Sequence, residues 1–124
     1  MTNRTIYLVD DEPMLLDMLS EVISLCGISS KSFTQANQLF ETVKSFNIDD
    51  IIILDIHMPQ MDGVEVMNQL TSYSVRPSLI LISGHDSGML QTADQLGKFS
   101  GLKILATLQK PISIERFKAF LKTL

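Results

Sequence analysis

The chain of 124 residues has one cysteine and no tryptophan. One cysteine forms no internal disulfide and no zinc site on its own. Cys26, just before Gly27 in an amphipathic stretch, reads as a buried thiol at a helix end. Long hydrophobic runs are also lacking. Runs such as Ile51-Ile52-Ile53-Leu54 fall far short of the roughly 20 residues a membrane span needs. Basic excess is absent: 10 Lys and Arg stand against 14 Asp and Glu, for a net charge of −4. Such a chain offers no broad face to a phosphate backbone, and Lys98, Lys103, Arg116, Lys118 and Lys122 are too scattered for a nucleic-acid patch. Met1-Thr2-Asn3-Arg4 leads straight into a short apolar run. With no signal-peptide pattern, the expected location is cytoplasmic, with neither membrane nor nucleic acid as a direct partner.

What is present is an ordinary core. Apolar residues make up 45% and charged residues 19%, which excludes a disordered tail. The length suits one domain with a real hydrophobic interior, not two. Along the chain the hydrophobic period switches repeatedly. Thr5 to Val9 is a short β-prone run; Met14, Leu15, Met18, Leu19, Val22, Ile23 and Cys26 then recur at helical spacing, between Pro13 at the helix start and Gly27 beyond its end. Ile28 to Phe33 reads as a second strand. A helix from about Gln35 to Phe46 follows, with Thr34 as its cap and Leu39, Phe40 and Val43 as its buried face. Ile51 to Leu54 and Leu79 to Ile82 are apolar without alternation, as central parallel strands covered on both faces must be. Asp62-Gly63 opens a third helix bearing Val64, Val66, Met67 and Leu70. A fourth runs from about Gly88 to Leu96, a fifth strand spans Leu102 to Leu108, and Ile114, Phe117, Leu121 and Leu124 mark a last helix. Alternating strands and helices of this kind build a parallel sheet with helices on both faces.

The polar residues gather where such a sheet binds ligands, beyond the carboxyl ends of its strands. Strand one ends in Asp10-Asp11, strand three in Asp55, strand four in Ser83-Gly84, and strand five close to Lys110. With strand order 2-1-3-4-5 these ends converge. Three converging carboxylates repel unless a cation lies between them, and Mg²⁺, a hard ion that binds through a few oxygens and keeps its waters, is the expected one. Asp55, projecting from a rigid strand, is placed to attack phosphorus and form an aspartyl phosphate. Lys110 would supply positive charge to a phosphoryl oxygen and Ser83 a hydroxyl to another, while Gly84 leaves room for the group.

These motifs resemble the receiver domain of two-component response regulators, over essentially the whole chain. The matching residues are the acidic pair Asp10-Asp11, the stretch Asp55-Ile56-His57-Met58-Pro59-Gln60-Met61-Asp62-Gly63, Ser83-Gly84, and Lys110-Pro111. The resemblance implies a flavodoxin-like (βα)5 three-layer α/β sandwich. It implies that Asp55 accepts a phosphoryl group from a histidine of a sensor histidine kinase or phosphotransfer protein. Asp11 and Asp55 would ligate Mg²⁺ directly, with the backbone carbonyl of His57 as a third ligand and Asp10 acting partly through water. It also implies a cis Lys110-Pro111 bond, an output domain beyond residue 124, and a possible homodimer through the face of the fourth helix, fifth strand and fifth helix. The segment Gly101 to Pro111 is similar to receivers ahead of EAL-type cyclic di-GMP phosphodiesterases; no such catalytic set is present here.

Two features depart from the family pattern. Thr107 stands where an aromatic ring is frequent, and the stretch from Ser83 to Lys110 is longer than is common, around His85 to Gly101. The domain is expected to be a switch rather than an enzyme. A phosphorylation-independent interaction module is the main alternative. A flavodoxin-like cofactor binder would need a phosphate-cradling loop where Asp10-Asp11-Glu12-Pro13 stands, and a phosphoaspartyl hydrolase would need an acid at His57. His85 and Asp86 read as surface loop, and Asp49 and Asp50 as turn residues at the far end of the sheet. Met14, Met18 and Met67 lie at core spacing, and Met58 and Met61 in the motif loop.

Overall fold

The structure, a computed structural model, describes residues 4–56, 63–84, 91, 95–98 and 100–124. Its elements are β1 (Thr5–Val9), α1 (Pro13–Leu25), β2 (Ser29–Phe33), α2 (Ala36–Thr42), β3 (Ile51–Asp55), α3 (Gly63–Leu70), β4 (Ser78–Ser83), β5 (Ile104–Gln109) and α4 (Ile114–Leu121). Residues 95–98 are also helical, where the fourth expected helix ends.

All strand pairs are parallel and the order is β2-β1-β3-β4-β5. This is the expected flavodoxin-like arrangement. The central strands show why an unbroken apolar run is needed. Successive side chains point to opposite faces, so Ile51 and Ile53 pack with Leu19, Ile23 and Phe117 under α1 and α4. Ile52 and Leu54 pack with Leu39, Val66 and Met67 under α2 and α3. Both faces are dry, and every residue of β3 is buried, Asp55 included. The edge strand β2, Ser-Ser-Lys-Ser-Phe, is half-exposed and polar, as an edge facing water can be.

Several expectations need correction. Met14 is 86% exposed and Met18 also faces solvent; the buried stripe of α1 is Leu16, Leu19, Val22 and Ile23. The helix sits about one residue around from the expected face because Leu16 carries the first inward position. Cys26 is half-buried at the C-cap. Thr34 does not cap α2: Gln35 holds the cap position without a side-chain bond, and the helix stops at Thr42. Val43 turns to extended backbone, while Phe46 remains buried beyond the helix. Ring packing explains this. Phe46 meets Tyr7 edge-on with centroids 5.4 Å apart and Tyr73 at 4.9 Å. The Tyr73 hydroxyl donates to the Val43 carbonyl at 2.8 Å. Strand β5 begins at Ile104 rather than Leu102, and the Lys110-Pro111 bond is cis.

Among the described residues no helix is long and apolar enough to cross a membrane.

Candidate functional site

Parallel pairing carries three chain ends to one place. β1 lies between β2 and β3, and β3 between β1 and β4. The ladder runs past the strand ends: Asp10 N–H donates to the Phe33 carbonyl, Ile56 N–H to Ile82, and Lys110 N–H to Ser83 at 2.8 Å. Asp10 follows Ile6 and Leu8 on the α1 side of the pleat, and Asp55 follows Ile51 and Ile53 on the same side.

Asp10, Asp11 and Asp55 each bring a carboxylate oxygen to within 4.8 Å of the others. Asp10 and Asp55 are buried and Asp11 is exposed. Lys110 crosses from the end of β5. Its Nζ lies 2.8 Å from Glu12 Oε1, 3.1 Å from Asp10 Oδ2 and 3.5 Å from Asp55 Oδ2. Three carboxylates thus crowd one ammonium among the described residues. Ser83 is buried at the end of β4, one residue beyond the Ile82 that pairs with Asp55. A Cβ on Gly84 would stand 4.0 Å from the Lys110 side chain, so protein packing alone does not demand glycine there.

The electrostatics of Asp10 test whether a cation fits. Its Oδ1 accepts the Glu12 backbone N–H at 2.8 Å. Among the described residues no hydrogen-bond donor is aligned on its buried Oδ2; Lys110 meets it as an ion pair at 3.1 Å. Burial, the largest influence, lifts the Asp10 carboxyl above the usual range, and the Asp55 charge adds to this. The Glu12 N–H and Lys110 pull the other way without prevailing. Burial also works against the Lys110 charge, but Glu12, Asp10 and Asp55 together hold the ammonium protonated beyond the ordinary lysine range. A buried carboxylate that lacks a donor, beside two other carboxylates, is what a hard cation with oxygen ligands satisfies. The residues present therefore fit a divalent metal ion.

Comparison with known proteins decides the family. The response regulator receiver domain family matches residues 6–122. The chain belongs to this family. A response regulator of known structure from Colwellia psychrerythraea is 37% identical, with 98% of this chain and 96% of that one covered and a TM-score of 0.84. The response regulator TodT of Pseudomonas putida is 34% identical over 80 residues. The beryllofluoride-activated NtrC4 receiver domain dimer shares the fold, with a TM-score of 0.79 at 24% identity. The aligned part makes up 35% of TodT, so this chain matches about a third of that relative's length. The chain is thus a receiver domain, of the kind found in response regulators, over nearly its full length.

The structure brings together Asp10, Asp11, Asp55 and Lys110, with Ser83 and Gly84 alongside. His57, with Met58, Met61, Asp62, His85 and Asp86, lies outside the described residues. Sequence reasoning gave Glu12 no role, yet it makes the shortest contact to Lys110. Its place after an acidic pair and before a helix-starting proline was the available signal. Thr107 is exposed on β5, opposite Leu81.

Proposed function

We propose that Asp55 is the phosphoacceptor and receives its phosphoryl group from a phosphohistidine of a sensor histidine kinase or phosphotransfer protein. The observation that supports this most is the meeting of Asp10, Asp11 and Asp55 within 4.8 Å, with Lys110 beside them. Asp11 and Asp55 would hold Mg²⁺ directly, Asp10 partly through water, and His57 through its backbone carbonyl. The ion would offset the negative charge shared by the carboxylates and the phosphoryl oxygens.

The chain's own residues do the rest. A carboxylate oxygen of Asp55 attacks phosphorus; the new O–P bond forms as the N–P bond to imidazole breaks, and its electron pair returns to the imidazole nitrogen. Lys110 turns positive charge toward one phosphoryl oxygen and Ser83 donates its hydroxyl to another. Hydrolysis reverses the acyl phosphate: water attacks phosphorus and the Asp55 carboxylate leaves. The product that matters is a changed surface. Part of the exposed surface of α1 is apolar. Met14, Met18 and Leu25 are exposed on α1, close to one another around the helix at 100° per residue, and α1 begins at the site.

The changed surface acts on an output domain beyond residue 124 or on a second copy, through the face of the helix expected from about Gly88 to Leu96, β5 and α4. The length of the relatives supports an attached output. A finer reading, control of cyclic di-GMP turnover by an EAL-type phosphodiesterase, draws on the Gly101–Pro111 segment and on the long stretch between Ser83 and Lys110. Two relatives, DctD of Pseudomonas aeruginosa and NtrC of Proteus hauseri, are named transcriptional regulators, which supports a DNA-binding output instead. Exposed Thr107, in place of an aromatic switch residue, supports a second reading, a phosphorylation-independent interaction module.

Incubation with Mg²⁺ and acetyl phosphate, read by intact mass, separates the two readings. A gain of one phosphoryl group that disappears in Asp55→Asn supports the switch. A folded, Mg²⁺-binding protein that gains none from acetyl phosphate or from a phosphorylated histidine donor supports the interaction module.

A further inference from the structure

Lys110 is shared unequally. Its shortest contact, 2.8 Å, goes to Glu12, whose side chain is 58% exposed, whereas those of Asp10 and Asp55 are 2% and 4% exposed. Glu12 occupies the N-cap position of α1 but makes no side-chain cap bond there. Its carboxylate reaches instead across to the start of the loop after β5. The pair joins residues 98 positions apart in sequence and ties the β1–α1 turn to the lysine.

An ammonium has three hydrogens to give, and three carboxylates already surround it. A phosphoryl group on Asp55 brings further negative charge and its own claim on Lys110. Asp10 is fixed by the Glu12 backbone N–H and Asp55 by its strand. The Glu12 side chain, in water at the rim, is the partner that can withdraw at least cost.

We propose that Glu12 is a positioning residue that holds Lys110 in the unphosphorylated domain and competes with the phosphoryl group for it. This rests on the reading of Asp55 as phosphoacceptor. Glu12 sets how readily the site accepts a phosphoryl group and acts only through Lys110. Replacing it lets the lysine turn inward without first giving up a partner.

The test uses the 124-residue domain with Glu12→Gln and Glu12→Ala, and with Glu21→Gln on the exposed side of α1 to match the charge change. Mg²⁺ with beryllofluoride serves as the phosphoryl mimic. Both Glu12 variants should bind it about two- to fivefold more tightly, the range of an exposed ion pair, and take phosphate from acetyl phosphate faster by a similar factor, while Glu21→Gln matches wild type. Affinity and rate at or below wild type in both Glu12 variants overturn the proposal, as does an equal gain in Glu21→Gln. Proton exchange of the Lys110 ammonium, followed by NMR without phosphoryl mimic, tests the clamp separately. It should quicken in the Glu12 variants and not in Glu21→Gln. If wild type accepts neither beryllofluoride nor a phosphoryl group from acetyl phosphate or a phosphorylated histidine donor, the phosphoacceptor reading fails. Unchanged exchange in the Glu12 variants overturns the clamp by itself.

Discussion

The sheet buries aspartates at both ends, and two of them, Asp50 and Asp10, are held in opposite ways. Asp50, just before β3, is 2% exposed and has both oxygens satisfied, Oδ1 by the Thr5 N–H at 3.0 Å and Oδ2 by the Asn47 N–H at 2.8 Å. Asp10, at the far end of β1, is 1% exposed, but among the described residues its Oδ2 has no aligned donor, and its carboxyl is lifted above the usual range by burial. Burial is the same; satisfaction differs. A buried carboxylate with each oxygen bonded to a backbone amide holds a fold together. One left short of donors, among other carboxylates, is kept for something that arrives from outside.

The largest expected effect breaks the site end. Asp55→Asn should abolish the phosphoryl gain altogether and leave the fold intact, since the amide keeps the shape of the carboxylate; intact mass and circular dichroism check the two halves. Next comes the structural end. Asp50→Ala leaves the Thr5 and Asn47 amides without their partner, at about 1–3 kcal/mol each, and should lower stability in urea by about 2–4 kcal/mol. Asp10→Asn should do the reverse in the metal-free protein, a gain of up to about 1 kcal/mol, because it removes a poorly solvated charge. The same variant should bind Mg²⁺ more weakly, as a calorimetric titration would show. Equal losses in the two variants would erase the contrast between the ends.

The pH dependence sharpens it. Burial raises the Asp10 carboxyl, so its contribution is present below the unfolded value of about 3.9 and is lost as pH rises through the folded value. Wild type should therefore gain less on raising the pH from about 4 than Asp10→Asn does, measured by urea midpoints without metal. At high pH the groups act together. Burial raises Tyr7, helped by the Asp50 charge, and raises Tyr73; Lys110 is raised by its carboxylates against its own burial. Each contributes stability up to its unfolded value near 10 that is lost above it, so the urea midpoint should fall steeply beyond that pH. The smallest effect belongs to Tyr73→Phe, which removes one hydrogen bond to Val43 and should cost about 1 kcal/mol.

The parallel sheet was legible in the sequence because Ile51–Leu54 and Leu79–Ile82 are apolar on both faces, a pattern with few other uses. The carboxylate site was legible because each acid or lysine stands just past a strand. What was missed depends on partners the sequence does not display. Met14 and Met18 fit a helical period yet lie outside, since the stripe is fixed by what α1 packs on, not by spacing alone. Asp50 does close the turn expected of it, its N–H donating to the Asn47 carbonyl, but its burial was missed because Thr5, 45 residues away, is brought to it only by the fold. Glu12 drew no attention because its partner is 98 residues away.

The central claim is that the phosphoryl group lands on Asp55. Reductive trapping measures this directly. The domain is incubated with Mg²⁺ and acetyl phosphate, treated with borohydride, which reduces an acyl phosphate to an alcohol, and mapped by peptide mass. Homoserine is expected at position 55 and unmodified aspartate at 10, 11 and 50, with no conversion when Mg²⁺ is chelated. Conversion at another aspartate, or conversion at 55 that ignores Mg²⁺, would contradict the claim.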